Sequence, residues 1–334
     1  AHLIKTNNDE LIKKYMDAGG KLIRFEDLEK YVNESDITLD GVLGTGIKLP
    51  LKKEASEILR RVKNLKPKFV VAVDCPSGVD CDSGDCADET IPANLTVTMA
   101  AVKQGLLKLP AFEKVGNLEL VEIGLSDEML NEIKIDVADD DMVSGSLPKR
   151  RLASHKGTFG TAFVIAGSIS YTGAALLAGT AAYRIGTGLV TMAVPENLHS
   201  ALAGHLPEAT WVLLPHENGF ISESDSLSPQ SSAANIVLQN LNRATSLLIG
   251  PGLGNKETTK QFVQKLLPSI KIPIVIDADG LRHVKDSLSI LHNSVLTPHV
   301  GEMSALTGLS KEEIQSNREE VAKKYAKEWN CIVV

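Results

Sequence analysis

Four aspartates stand where an apolar, strand-forming run gives way to turn residues. They are Asp40 in ITLDGVLGTG, Asp74 in FVVAVDCPSGVD, and Asp277 and Asp279 in PIVIDADGL. A carboxylate in such a place loses little hydration and can move a proton or hold a cation. Aspartate also opens turns and caps helices, so each one taken alone is open to either role. Two glycine clusters, Gly44-Thr45-Gly46 and GPGLG at 250–254, follow strand-like runs and precede helix-like ones. Backbone amides and a helix N-terminus cradle phosphate in that setting. Neither is a Walker A loop or a full G-x-G-x-x-G, and a tight turn explains each equally well. His299, in TPHVGEM, stands at a strand end where it could touch a ligand, and Glu302 reads as a first-turn residue favoured by the helix dipole. The basic run Lys149, Arg150, Arg151, His155 and Lys156 could meet phosphates, but reads more simply as a solvated linker.

These residues need a scaffold, and the patterning predicts an α/β one. Strands are expected at KLIRF, ITLDGVLGTG, KFVVAVD, NLTVTMAA and GNLELVEIGL. Ala55, Ile58, Leu59 and Val62 fall at i, i+3, i+4 and i+7, one face of a helix. The near-continuous apolar run KFVVAVD predicts a parallel strand covered on both faces. Residues 128–150 turn acidic, then Ser/Gly/Pro-rich, then basic, which marks a domain junction. A second βα series comes next, with strands at TAFVIAGS, LVTMAVP, LLIGPGLG, PIVIDADGL, SVLTPH and CIVV. Helices are expected at GAALLAGTAAYRIGTG, ANIVLQNLNRATS and KETTKQFVQKLL. A last helix over 311–329 can pair Glu319 with Lys323 and Glu320 with Lys324 at i, i+4. Alternation at this spacing means mainly parallel sheets, whose ligands bind beyond the carboxyl ends of the strands, where the aspartates lie.

At 334 residues two domains are expected. A net charge of −7 and 4% aromatics argue against nucleic acid or an anionic membrane as partner. No apolar run approaches the roughly 20 residues of a membrane helix, and no signal peptide is visible. Cys75, Cys81, Cys86 and Cys331 match no zinc spacing and fit thiols of a reducing cytoplasm. The chain opens without methionine and stops on a strand-like CIVV, so both ends are expected to be truncated.

Taken in order, these segments resemble one family, the bifunctional NAD(P)H-hydrate repair enzymes. There an epimerase domain is fused to an ADP- or ATP-dependent dehydratase domain of ribokinase-like fold. The shared motifs in the first half are DGVLGTG (40–46), VDCPSGVD (73–80) and KQGLL (103–107). In the second half they are SHKG from Ser154, AGS at 166–168, GAA at 173–175, GPGLG at 250–254, DAD at 277–279 and TPHVGE at 297–302. The resemblance implies a partial Rossmann-like epimerase domain over 1–133 and a partial ribokinase-like α/β dehydratase domain over 134–334. Nothing before residue 40 matches the family's N-N-G-G-D-G loop, which supplies a third potassium ligand. The chain stops ahead of the segments that carry the adenine-nucleotide lysine and the catalytic aspartate of the dehydratase.

By the same resemblance, Gly44, Thr45, Gly46, Ile47, Lys48, Leu49 and Pro50 touch the hydrated nicotinamide nucleotide. Asp74 binds it and serves the epimerisation, and Asp40 and Ser77 hold a potassium ion (K+). Ala174, Gly252 and His299 contact the hydrate in the second domain. There Mg2+ with ADP or ATP supports phosphorylation of the hydrate's hydroxyl and elimination back to NADH or NADPH. The implied partners are the hydrates NADHX and NADPHX, an adenine nucleotide, and further copies of the chain as a homo-oligomer. Two other readings stay open: a ribokinase-like small-molecule kinase, which would not need DGVLGTG or VDCPSG, and a non-catalytic nucleotide-binding module.

Overall fold

The apolar runs become the strands of two parallel sheets in the computed structural model, which describes residues 9–130, 135–223, 231–285 and 293–334. The chain divides into two units, Ala1–Leu147 and Pro148–Val334, at a point inside the stretch of changing composition.

The first unit holds β1 (Thr38–Asp40), β2 (Val70–Val73), β3 (Leu95–Met99) and β4 (Asn117–Val121), all parallel and in sequential order. The helix Lys53–Leu65 links β1 to β2 and buries Ala55, Leu59 and Val62, the stripe its spacing predicts. Leu59 is fully buried, packed with Val62, Val70 and Ile91; burying such a side chain contributes about 1.5–3 kcal/mol. The helix stops at Lys66, whose φ of 51° cannot continue a right-handed turn.

Two expectations for this unit are corrected. KLIRF forms no strand: a 3-10 turn at Phe25–Asp27 runs into the helix Leu28–Glu34. Phe25 lies under the Arg61 guanidinium at 4.7 Å instead of entering the sheet. Nor is KFVVAVD covered on both faces. Strands laid down in the order 1-2-3-4 with right-handed crossovers throw every connection onto one face. The other face leaves Leu39 68% and Val121 44% exposed, with Val73 at 36%.

The second unit has β5 (Thr161–Ile165), β6 (Leu189–Pro195), β7 (Thr210–Leu214), a hairpin of β8 (His216–Glu217) and β9 (Phe220–Ile221), then β10 (Ser246–Ile249), β11 (Ile274–Ile276), β12 (Ser294–Leu296) and β13 (Ile332–Val333). The large sheet runs β13-β12-β11-β10-β5-β6-β7, parallel throughout. The chain winds outward from β5 to β7, returns, and winds the other way from β10. A topological switch point therefore lies between β5 and β10. On β5, Phe163 and Ile165 enter one buried cluster while Val164 enters the other, so apolar residues succeed one another without alternation.

The helix Thr172–Arg184 is built of small residues because it lies close to the sheet. A Cβ on its Gly179 would come within 2.6 Å of Leu206 and 2.8 Å of Met192. The helix expected over 311–329 is two, Lys311–Ser316 and Arg318–Trp329, broken at Asn317, whose φ of −137° is not helical. Lys323 meets both Glu319 at 2.5 Å and Glu320 at 3.8 Å, while Lys324 sits over the Tyr325 ring. No described helix is long and apolar enough to cross a membrane.

Candidate active sites

Asp40 and Asp74 end adjacent parallel strands of the first unit and reach the same carboxyl edge. Asp40 is only 2% exposed. Its Oδ2 accepts the Ser77 N–H at 2.8 Å, whereas its buried Oδ1 has no partner among the described residues. Burial pushes the Asp40 carboxyl above its ordinary value, and the bonds from Ser77 and Val42 offset only part of that. Ser77 Oγ accepts the Leu43 N–H at 2.9 Å, tying the DGVLGTG loop to the CPSG turn. The structure thus brings Asp40, Ser77 and the start of the 44–50 loop together. Gly44 and Gly46 are exposed, and a Cβ on either would meet nothing within 4 Å. Packing among the described residues does not require glycine at either position.

Asp74 adopts φ 70°, the left-handed region, which a non-glycine residue enters at a cost. Its N–H is held by the Val97 carbonyl at 2.8 Å. Its carboxylate accepts the Met99 N–H at 2.9 Å and the Lys103 ammonium. Burial pushes its pKa up, but Lys103, Met99 and Thr98 outweigh this and hold it below the ordinary range.

In the second unit the site forms at the switch point. The Gly167 N–H donates to the Pro251 carbonyl at 2.8 Å, joining the loop after β5 to the one after β10. Gly252, at φ 68°, lies against the helix that starts at Thr172. A Cβ on it would fall 2.7 Å from Ala174 Cβ and 2.8 Å from Tyr171 Cβ. Two of the sequence-predicted residues, Ala174 and Gly252, are therefore packed together at the switch point. Asp279 accepts the Gly254 N–H at 2.8 Å, and Asp277 accepts the Thr297 hydroxyl at 2.7 Å, so the DAD turn braces the glycine loop.

His299 stands two strands away, beyond β12. It caps the helix Val300–Thr307: Nδ1 accepts the Gly301 and Glu302 N–H groups at 3.0 and 3.3 Å, and Glu302 accepts the His299 N–H in return. Its ring is 66% exposed, with Nε2 3.2 Å from Glu302 Oε1. A cavity of about 290 Å³ opens at it, lined by Pro298, His299, Met303, Ile314, Arg318 and Val321. Its lining is mainly apolar, with His299 and Arg318 as its polar groups. The buried His283 is held neutral: burial pushes its pKa down, and it hydrogen-bonds the Gly254 carbonyl at 2.9 Å.

The basic run is solvated as expected, all five residues being exposed, though Arg150 also lies over the Phe159 ring at 4.3 Å and donates to the Gly186 carbonyl at 2.7 Å. His155 likewise caps the turn Lys156–Phe159. Sequence reasoning missed the β8–β9 hairpin, whose Phe220 packs against Gly254. Its signal was the Asn218-Gly219 pair, at φ 51° and 80°, a two-residue hairpin turn. The four cysteines are free, and no cluster of three metal-ligating side chains occurs among the described residues.

Two parallel sheets, each with carboxylates and glycine loops at its carboxyl edge and the second of them doubly wound, define an α/β protein. Residues 162–334, more than half the chain, match the family described as NAD(P)H-hydrate dehydratase, and the chain belongs to that family. Residues 3–105 match the YjeF-related protein N-terminus. The bifunctional NAD(P)H-hydrate repair enzyme Nnr of Moorella thermoacetica is 34% identical over 96% of this chain and 61% of its own length. That of Escherichia coli is 33% identical over 90% of this chain and 54% of its own. The chain thus spans about six-tenths or less of these relatives. A crystal structure of the ADP/ATP-dependent NAD(P)H-hydrate dehydratase from Bacillus subtilis, co-crystallised with ATP/Mg2+, shares 30% identity. It aligns over 59% of this chain and 64% of that one, with a TM-score of 0.44.

Proposed function

We propose that this chain comes from an enzyme that repairs hydrated NADH and NADPH. An epimerase domain, placed at residues 1–133 within the first unit and its linker, interconverts the R and S hydrates, and a dehydratase domain, placed at 134–334, dehydrates the S form. The observation that carries the reading is the union in one chain of a presented strand-end carboxylate, Asp74, with a second sheet whose glycine loop and small-residue helix meet at a switch point, where Gly252 touches Ala174. A small-molecule kinase would have use for the second alone.

Inverting the hydrate carbon moves a proton beside a ring nitrogen, and Asp74, ionised at neutral pH, is suited to receive it. The exposed loop Gly44–Pro50 lies on the same edge to hold the nucleotide. In the second unit the switch point would seat the hydrate, with Ala174, Gly252 and His299 among its contacts. Mg2+ with ADP or ATP would supply the phosphoryl group that turns the hydroxyl into a leaving group. The four free thiols fit a cytoplasmic location.

Recovery of reduced-nicotinamide absorbance from a mixed hydrate pool, with Mg2+ and ADP or ATP, tests the proposal. It should be run on this chain and on one extended at both ends. Complete recovery by the extended protein means that both epimers are consumed. Recovery by neither removes the repair reading.

Potassium fits the first unit on one observation: the buried Asp40 Oδ1 lacks a partner among the described residues and stands beside Ser77. Asp40, Ser77 and the loop carbonyls would hold the ion. Exchanging Na+ for K+ is expected to raise thermal stability, by about 2.7 kcal/mol at a hundredfold excess over Kd. Asp40→Asn should abolish the difference. Equal unfolding temperatures in the two salts would remove potassium from this site.

A further inference from the structure

The protein treats the two oxygens of Asp74 unequally. Oδ1 accepts the Met99 N–H at 2.9 Å, the Lys103 ammonium, and more loosely the Thr98 hydroxyl at 3.5 Å. Oδ2 takes no hydrogen bond from a described residue, and about a quarter of the side chain is exposed (25%). Lys103 is engaged just as fully. An ammonium has three protons, and three acceptors face this one: Asp74 Oδ1, the Met99 carbonyl at 2.8 Å and Thr98 Oγ1 at 3.1 Å.

We infer that Lys103 is a positioning residue for Asp74, pinning Oδ1 so that Oδ2 alone is presented to the ligand, and is not itself the proton donor. This rests on Asp74 being the proton-transfer group of the first unit.

The backbone is built to deliver Lys103. After β3 the chain reverses at Ala100, where φ is 65° and the Ala101 N–H closes a three-residue turn on the Met99 carbonyl at 2.7 Å. The same carbonyl receives Lys103. Two residues beyond Lys103, the Gly105 N–H donates to the Cys81 carbonyl at 2.7 Å. A Cβ on Gly105 would lie 2.4 Å from the Asp80 carbonyl oxygen, so the segment is seated against the loop beyond Asp74. Asp74 and Ala100 both occupy the left-handed region, at about 1–3 kcal/mol each. Strain on both sides of one ion pair marks a constrained geometry, more than a surface salt bridge would need.

The titratable groups facing Asp74 are Lys103, from the segment after β3, and the thiols of Cys75 and Cys81, from its own strand-end loop. Lys103 is the cation that holds the carboxylate ionised; the contact between the two thiols pushes Cys75 up, with burial adding to it, and pulls Cys81 down.

The test compares Lys103→Met and Lys103→Arg with the unmodified chain by two readouts. One is the titration of the Asp74 side-chain carboxyl by carbon-13 NMR; the other is the pH profile of R/S hydrate interconversion, followed chromatographically. Lys103→Met should move the Asp74 titration and the acid limb of the profile to higher pH and lower kcat by about tenfold or more, with KM little changed. Lys103→Arg should restore much of both. An unmoved titration in a folded Lys103→Met protein overturns the inference. So does a loss of kcat in both variants with the acid limb in place, which would make Lys103 the proton donor. If Lys103→Met does not fold, Thr98→Val removes one anchor and should shift the titration the same way by less; no shift in that variant overturns the inference too. If neither the unmodified chain nor one extended at both ends interconverts the epimers, the epimerase reading fails, while the NMR titration still decides what Lys103 does to Asp74.

Discussion

Asp74→Asn should slow interconversion of the two hydrate epimers by about 10²–10⁴-fold, the range a positioned acid/base group supplies. The amide keeps the shape of the carboxyl, and its oxygen can still accept the Met99 N–H and the Lys103 ammonium that now converge on Oδ1. Its nitrogen then takes the place of Oδ2, where it can donate a hydrogen bond but cannot take up a proton. Chemistry is lost with little change of form. The measurement is relaxation of a purified epimer toward the mixture, read chromatographically without magnesium or nucleotide so that dehydration does not intrude. Relaxation at the unmodified rate would mean that Asp74 only holds its loop in place.

Gly250→Ala should cripple the second unit's stability. Gly250 sits at φ 130°, where β10 ends, and a Cβ there would lie 1.8 Å from the Asp277 carbonyl oxygen. That neighbour is backbone, fixed by the Asp277 N–H bond to the Ile249 carbonyl at 3.0 Å, so no rotamer change relieves the overlap. Backbone strain of about 1–3 kcal/mol and overpacking of about 1–3 kcal/mol together approach the whole stability of many domains. Both tryptophans, Trp211 and Trp329, belong to this unit, so their fluorescence tracks its unfolding selectively. The denaturant midpoint should fall sharply. Gly173→Ala, in a helix with nothing within 4 Å of the new methyl group, serves as the contrast and should be neutral or stabilising. Equal midpoints for the two variants would show that the loop yields where the close approach says it cannot.

How much of the molecule is legible in its sequence depends on how local each signal is. Alternating apolar runs and turn residues carry the parallel sheets, because burial on two faces is written into consecutive residues such as Phe163-Val164-Ile165. Asp40 and Asp74 could be placed at strand ends for the same reason. The exposed face of the first sheet could not be seen, since it depends on strand order, which no single segment encodes. Nor could the division of labour between Asp74 and Lys103, which lie 29 positions apart and meet only when the chain reverses at Ala100. Arg150 reads as linker until Phe159 and the Gly186 carbonyl come up beside it. His299 shows the converse: its place at a strand end was plain, whereas its capping bonds depend on a rotamer.

Asp74, Ala100 and Ala278, at φ 70°, 65° and 48°, share one trait: each is a non-glycine residue forced into the left-handed region just past the carboxyl end of a strand. Selection for heat resistance and selection for turnover therefore pull against each other at the same three positions. Glycine would relax each backbone, and a screen that scored only survival at high temperature would find such changes early. It would enrich variants whose strand ends no longer aim the loops beyond them. A hardened lineage of this protein would be recognised by relaxed strand ends around an untouched core, and its slackened edge would betray what the stiffness had been for.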